Sequence, residues 1–136
     1  MPQNPAFMVR QSTSGSGFAG DAVANWDTVL LNRGGHFKTT AGTGQNQRFI
    51  APVAGVYHFS CQILSNSGAR LFFHFRVNGA DIIGTFIETV QVTSQYQEAT
   101  STMTYSLAQS DYVEVYVNSY AAYGGYYANF NGFLVG

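Results

Sequence analysis

Charge is scarce in this chain. Its 136 residues hold six Lys and Arg and seven Asp and Glu, so charged side chains make up 10% of it, against about 25% in an average globular protein. The six cations, Arg10, Arg33, Lys38, Arg48, Arg70 and Arg76, are scattered. Nucleic-acid binding rests on a clustered basic patch, so that function class is excluded. No apolar run approaches the ~20 residues of a membrane-spanning helix, which argues against membrane insertion. Cys61 is the only cysteine, so no disulfide forms within the chain. A structural zinc site would need paired Cys or His spacing, and one Cys with three dispersed His lacks it. Helical periodicity of useful length is also missing. The segment Met1–Phe7 has neither a basic n-region nor an apolar h-region, so it does not read as a secretory signal.

What remains is short runs of Val, Ile, Phe, Tyr and Thr separated by Gly, Asn and Ser clusters. That pattern predicts an all-β sandwich in a single domain spanning residues 1–136. Ala6–Arg10, Thr28–Leu31, His36–Lys38, Arg48–Ala51, Gly55–Leu64, Arg70–Val77 and Asp81–Ile83 read as strands. Asn78-Gly79 marks a hairpin, because both residues tolerate positive φ. Glu98–Leu107 and Asp111–Asn118 read as a second hairpin across Ala108-Gln109-Ser110. The final strand, Ala128–Val135, is apolar on both faces: Phe130, Gly132 and Leu134 on one, Phe133 and Val135 on the other. A half-solvated strand would alternate apolar with polar. One face is expected against the chain's own core and the other against a second copy.

Several of these segments resemble the C1q-type globular domain. The first half is carried by Ala6-Phe7, by Asn25-Trp26-Asp27-Thr28-Val29-Leu30-Leu31-Asn32, and by Arg48-Phe49-Ile50-Ala51-Pro52-Val53-Ala54-Gly55-Val56-Tyr57-His58-Phe59-Ser60. The second half is carried by Leu107-Ala108-Gln109-Ser110-Asp111-Tyr112-Val113 and Phe130-Asn131-Gly132-Phe133-Leu134-Val135. The resemblance implies a ten-stranded antiparallel jelly roll, shared with the tumour necrosis factor superfamily, that assembles as a compact homotrimer. It also implies that Gly55–Leu64, Asp111–Asn118 and Ala128–Val135 share the inner sheet facing the threefold axis. Strand parity then assigns His58, Ser60, Gln62, Tyr112, Glu114, Tyr116, Phe130 and Leu134 to the subunit interface. Tyr57, Phe59, Val113, Val115 and Phe133 go to the core. Two departures stand out: Ser110-Asp111 where the family often has Gly-Asp, and no Gly-X-Y stalk, so the complement role is not implied.

Candidate chemistry is thin. His58 has two readings, a structural hydrogen-bonded histidine or a buried contact with Glu114 that makes the trimer pH-sensitive. Some family members bind calcium near the trimer apex, and Asp81 beside the Asn78-Gly79 turn is the nearest candidate ligand here. Calcium needs about six to eight oxygens, and hairpin polarity explains Asp81 equally well; otherwise no cofactor is expected. The Ser119–Tyr127 loop, with Tyr120, Tyr123, Tyr126 and Tyr127, has the Tyr/Ser/Gly chemistry of binding loops. It serves either a protein or glycan ligand, or packing against the neighbouring subunit or at the end of the sandwich. No nucleophile–base–orienter set or phosphate loop is present, and the clustered His and Glu of a jelly-roll metal enzyme are missing. The chain is therefore expected to be a non-enzymatic homotrimeric binding and display module. Three settings fit: a phage or bacterial virion decoration or fibre-tip protein mediating attachment, the excised head of a secreted animal protein that binds a receptor or glycan, or a capsid cement. Each implies an extracellular or virion surface.

Overall fold

The computed structural model describes residues 4–15, 18–39, 47–91, 93–118 and 122–136, and every regular element among them is a strand. In chain order these are β1 (Ala6–Arg10), β2 (Ala22–Val23), β3 (Thr28–Arg33), β4 (Phe37–Lys38), β5 (Arg48–Ile50), β6 (Gly55–Ser65), β7 (Phe72–Val77), β8 (Ala80–Asp81), β9 (Ile87–Glu88), β10 (Glu98–Leu107), β11 (Tyr112–Val117), β12 (Ala122–Tyr123) and β13 (Asn129–Leu134). They form two antiparallel sheets. The first runs β10-β6-β13-β1-β3, with β12 on the end of β6. The second runs β4-β5-β11-β7-β8, with β2 beside β11 and β9 beside β7. The described residues thus hold thirteen strands rather than the expected ten, the short β2, β9 and β12 lying off the two main paths.

The period-two pattern of each long strand builds the core between the sheets. From β6, Tyr57, Phe59, Cys61 and Ile63 point inward; from β11 come Val113, Val115 and Val117. Phe7 sits at the centre, its ring 4.9 Å from Phe37, 5.0 Å from Phe49 and 4.8 Å from Phe130. Gly132 lies opposite Phe59 in the β13–β6 register. A Cβ there would stand 2.5 Å from the Phe59 ring and 2.9 Å from Phe7. Glycine at this position lets two aromatic rings close directly over the backbone. The Asn78-Gly79 hairpin forms as expected, with φ of 51° and 80° between β7 and β8.

Three expectations are overturned by strand pairing. First, β10 and β11 are not hairpin partners. All of β10 pairs with β6, from Glu98↔Leu64 to Leu107↔Gly55, while β11 joins the other sheet. The connection crosses between sheets because it is hooked onto the segment after β5. The Ser110 amide donates to Ala51 O at 2.8 Å, Ala51 N donates to Asp111 O at 2.8 Å, and Ser110 takes φ of 74°. Second, β11 therefore does not share a sheet with β6 and β13; β10 does. Third, the faces of β13 are the reverse of the expected ones. Phe130 pairs with Cys61 and is fully buried in the chain's own core, and Leu134 packs against that core. Phe133 pairs with His58 and points outward, 46% exposed. A strand apolar on both faces gives no parity of its own, and a shift of one residue exchanges the two faces.

Gly132→Val should lower unfolding stability by about 1–3 kcal/mol or more, since the added methyls meet aromatic rings that have nowhere to move. Phe130→Ala should cost about 3–5 kcal/mol. Urea unfolding measures both, and an unchanged midpoint for Gly132→Val would remove glycine's packing role.

Candidate functional site

The two outward faces of the sandwich have different chemistry. On the first sheet, successive register rows read Leu31–Met8–Asn131–Ser60–Thr102 and Arg33–Ala6–Phe133–His58–Thr104. Gln62 and Thr100 continue the face in the next row. Charge appears only toward its margins, as Arg33, Arg10 and Glu98. Phe133, Val135 and Leu31 are exposed there, at 46%, 57% and 42%. His58, Ser60 and Gln62 lie on this face as expected, each half-buried. Thr100, Thr102 and Thr104, all exposed, take the place that was expected for the β11 residues.

The second sheet's outward face is a closed charge network. Glu114 is only 4% exposed and lies 3.4 Å from the Arg48 guanidinium. It pairs in register with Arg76, whose Nε donates to Asp81 Oδ1 at 2.7 Å. The two guanidiniums stack over Tyr112 at 3.7 Å and Tyr116 at 3.5 Å. His74 Nε2 lies 2.7 Å from Asp81 Oδ1, and Nδ1 lies 2.7 Å from Asn118 Oδ1. This histidine points away from the core, as its alternation with Phe73 and Phe75 predicts. It is nevertheless fully buried, because Phe86 covers it in a parallel stack at 3.9 Å. Burial pushes the Glu114 carboxyl above its ordinary range, against the pull of Arg48 and Arg76. Hydrogen bonds from His74 and then Arg76 hold Asp81 below its own.

The position of this network corrects three interface assignments and, with them, the expected His58–Glu114 contact. Tyr112, Glu114 and Tyr116 belong to the sheet opposite His58, so no His58–Glu114 contact forms within the protomer. His58 Nδ1 instead lies 3.1 Å from Thr104 Oγ1, with its ring 5.6 Å from that of Phe133. Asp81, the calcium candidate, has its carboxylate oxygen shared between His74 and Arg76. No group of three His, Cys, Asp or Glu side chains comes together among the described residues. Cys61 is buried in the core, and burial pushes its thiol well above the ordinary value, which makes it a poor nucleophile.

The tyrosine loop splits. Tyr123 and Tyr127 line a groove of about 380 Å³ together with Leu64 and Tyr96. Tyr123 is central, with Tyr96 5.5 Å away at 86° and Tyr127 5.8 Å away at 65°. Tyr126 faces elsewhere, 91% exposed, with the Arg10 guanidinium 5.9 Å from its ring. Tyr120 lies outside the described residues. Tyr96 and Leu64 were missed from the sequence. Finding them needs the β10–β6 pairing, which places Glu98 opposite Leu64 and so hangs Tyr96 over the end of that strand.

Glu114 supplies a pH test. Its folded carboxyl is raised above the ordinary value of 4.5, so folding opposes its ionisation. The stability of the native protein relative to Glu114→Gln should fall as pH rises from about that value, and level off toward neutral pH. Urea unfolding of both proteins between pH 4 and 7 reads this out, and a difference that rises with pH would mean the arginines outweigh burial. Cys61 should stay unreactive toward a thiol reagent in the native state and react once the chain is unfolded.

The sequence of residues 6–135 matches the model of the C1q domain. Among solved structures the chain is similar to the globular domain of zebrafish complement 1qA, with a TM-score of 0.78 over 97% of this chain and 98% of that one, at 19% identity. At that identity the likeness concerns the fold, and it is the same two-sheet sandwich. No helix among the described residues is long and apolar enough to cross a membrane. With the family model spanning nearly its whole length, the chain belongs to the C1q-domain family.

Proposed function

We propose that this C1q domain is a non-enzymatic, homotrimeric binding and display module in which three copies bury the outward face of the first sheet at the rows of His58, Ser60 and Gln62, leaving the Leu64 end of β6 open. The observation that carries this reading is the contrast between the two outward faces. On the second sheet Arg48, Glu114, His74, Arg76 and Asp81 have already paired with one another. The first presents an almost chargeless surface with exposed Phe133, Val135 and Leu31, the composition of an interface centre. Contiguous exposed apolar surface of this kind marks a contact site. Full burial of a Phe or Leu side chain is worth about 1.5–3 kcal/mol. Several such side chains per protomer, each already partly covered, can offset the ~4–15 kcal/mol lost on association. C1q domains generally trimerise, which favours three copies over two.

Membership of a family typically found in extracellular proteins supports a role in attachment at an extracellular or virion surface. The low net charge of −1 fits a surface that meets partners without long-range steering. The corrected interface consists of His58, Ser60 and Gln62 together with Thr102, Thr104, Phe133 and Val135.

Light scattering at micromolar concentration should give about 44 kDa, three times the 14.8 kDa chain. Phe133→Asp should reduce this to the single-chain mass while leaving the fold intact by circular dichroism, because Phe133 lies outside the protomer core. A wild-type protein of single-chain mass, or a trimer unaffected by Phe133→Asp, would refute the proposed face.

A further inference from the structure

We propose that the groove bounded by Leu64, Tyr96, Tyr123 and Tyr127 is a binding site for a neutral saccharide. This inference rests on the reading of the chain as a binding module and names the ligand class. Its volume of about 380 Å³ lies at the lower end of the ~300–1,000 Å³ of small-ligand sites. That size suits one or two sugar rings rather than a long chain.

The walls are built, not draped. Tyr123 is set by β12, which pairs Ala122 with Ser65 and Tyr123 with Leu64 at the end of β6. Tyr96 is held by its neighbour Gln97. Ser65 N donates to Gln97 O at 2.7 Å, and Gln97 N donates to Ser65 Oγ at 3.0 Å. Tyr127 precedes Ala128, which is buried at the entry to β13. Each of the three rings is therefore anchored within two residues of a buried or hydrogen-bonded position. A preorganised site loses little conformational freedom when a ligand binds.

The chemistry of the lining selects the ligand class. Tyrosine offers a flat apolar ring and a hydroxyl at its tip, which matches a pyranose with its C–H face and equatorial hydroxyls. None of the four described lining residues is charged, and the charged residue beside them in register is the carboxylate Glu98, opposite Leu64, so an anionic ligand finds no counter-charge among the described residues. The nearest cation of the tyrosine loop is Arg10, and it is spent elsewhere: its guanidinium donates to Gly125 O at 3.0 Å and faces Tyr126. Tyr96 and Tyr127 meet Tyr123 nearly edge to face. Their quadrupoles satisfy one another rather than converging on a cation as in an aromatic cage. Tyr96 and Tyr127 keep about half their surface open, at 55% and 47%, so ring surface is available for stacking.

The test uses the full chain and a panel of neutral disaccharides, maltose, lactose, mannobiose and chitobiose, with sialyllactose and tetramethylammonium as charged probes. Saturation-transfer NMR identifies a binder and calorimetry measures it. At least one neutral sugar should bind. Tyr96→Ala and Tyr127→Ala should each weaken it about tenfold or more, equivalent to about 1.4 kcal/mol, without changing Tm appreciably. Tyr126→Ala, outside the groove, should bind as wild type. Absence of transfer to every neutral sugar at millimolar concentration, tighter binding of either charged probe, or wild-type affinity in both tyrosine variants would overturn the proposal. The two readings fail separately. A trimer by mass that binds no sugar rejects the groove alone, and a monomer that binds sugar rejects the trimer alone.

Discussion

Everything in this fold depends on the close approach of Phe7 and Phe59 over the backbone of Gly132. That contact locks β13 between β1 and β6 at one register, with Gly132 opposite Phe7 on one side and Phe59 on the other. Once this register is set, the period of two decides which face the side chains of β1, β6 and β13 take, while a register shift opposite Met8 and Val9 interrupts it on β3. Phe130 must fill the space beneath Phe7, and Phe133 must stand outside beside His58. The aromatic cluster that follows, Phe7 with Phe37, Phe49 and Phe130, ties the first sheet to the second. Close packing of large rings makes such a centre intolerant of added volume.

The same constraint divides the surface. Inward positions of both sheets are almost all apolar, Ser65 and Ser101 excepted, so any functional difference between the faces must come from the outward positions. On the second sheet these are arginines, carboxylates, tyrosines and a histidine, which neutralise and cover one another. Glu114 and His74 are buried there although they point away from the core, because Arg48, Arg76 and Phe86 close over them. Charges already paired in this way have little left to offer a partner. On the first sheet, inside margins that carry Arg10, Arg33 and Glu98, the outward positions are Thr, Ser, Asn, Gln, His58 and a few apolar side chains. That face can be dried by a second copy at low electrostatic cost.

The loops at the far end of β6 take their shape from the same framework. Gly124 sits against the backbone of Thr13, with no room for a Cβ, and its amide donates to Gly15 O at 3.2 Å. The tyrosine loop is thereby pinned to the segment after β1. Tyr126 is sent to one side of this junction, and Tyr123 and Tyr127 to the other. Neighbours in the chain thus end up with different partners, which is why a tyrosine-rich stretch does not by itself define a site.

The sequence alone determined the class of fold and the identity of most core residues. Alternation in Gly55–Leu64 and Asp111–Asn118 shows which residues share a face, since that depends only on the local geometry of a strand. The C1q-like spacing from Arg48 to Ser60 and the terminal Phe-Asn-Gly-Phe-Leu were legible for the same reason: they are local patterns. Pairing was not legible. Which strand lies beside which depends on contacts between residues far apart in the chain. The crossing of β10 and β11 into different sheets is decided by Ser110 and Asp111 reaching Ala51. The direction of β13 is decided by the rings over Gly132. Both errors in the expected interface, the β11 residues and the reversed Phe130 and Phe133, have that origin. The groove at Tyr96 was invisible for the same reason, because Tyr96 meets Tyr123 only when β10 is laid along β6.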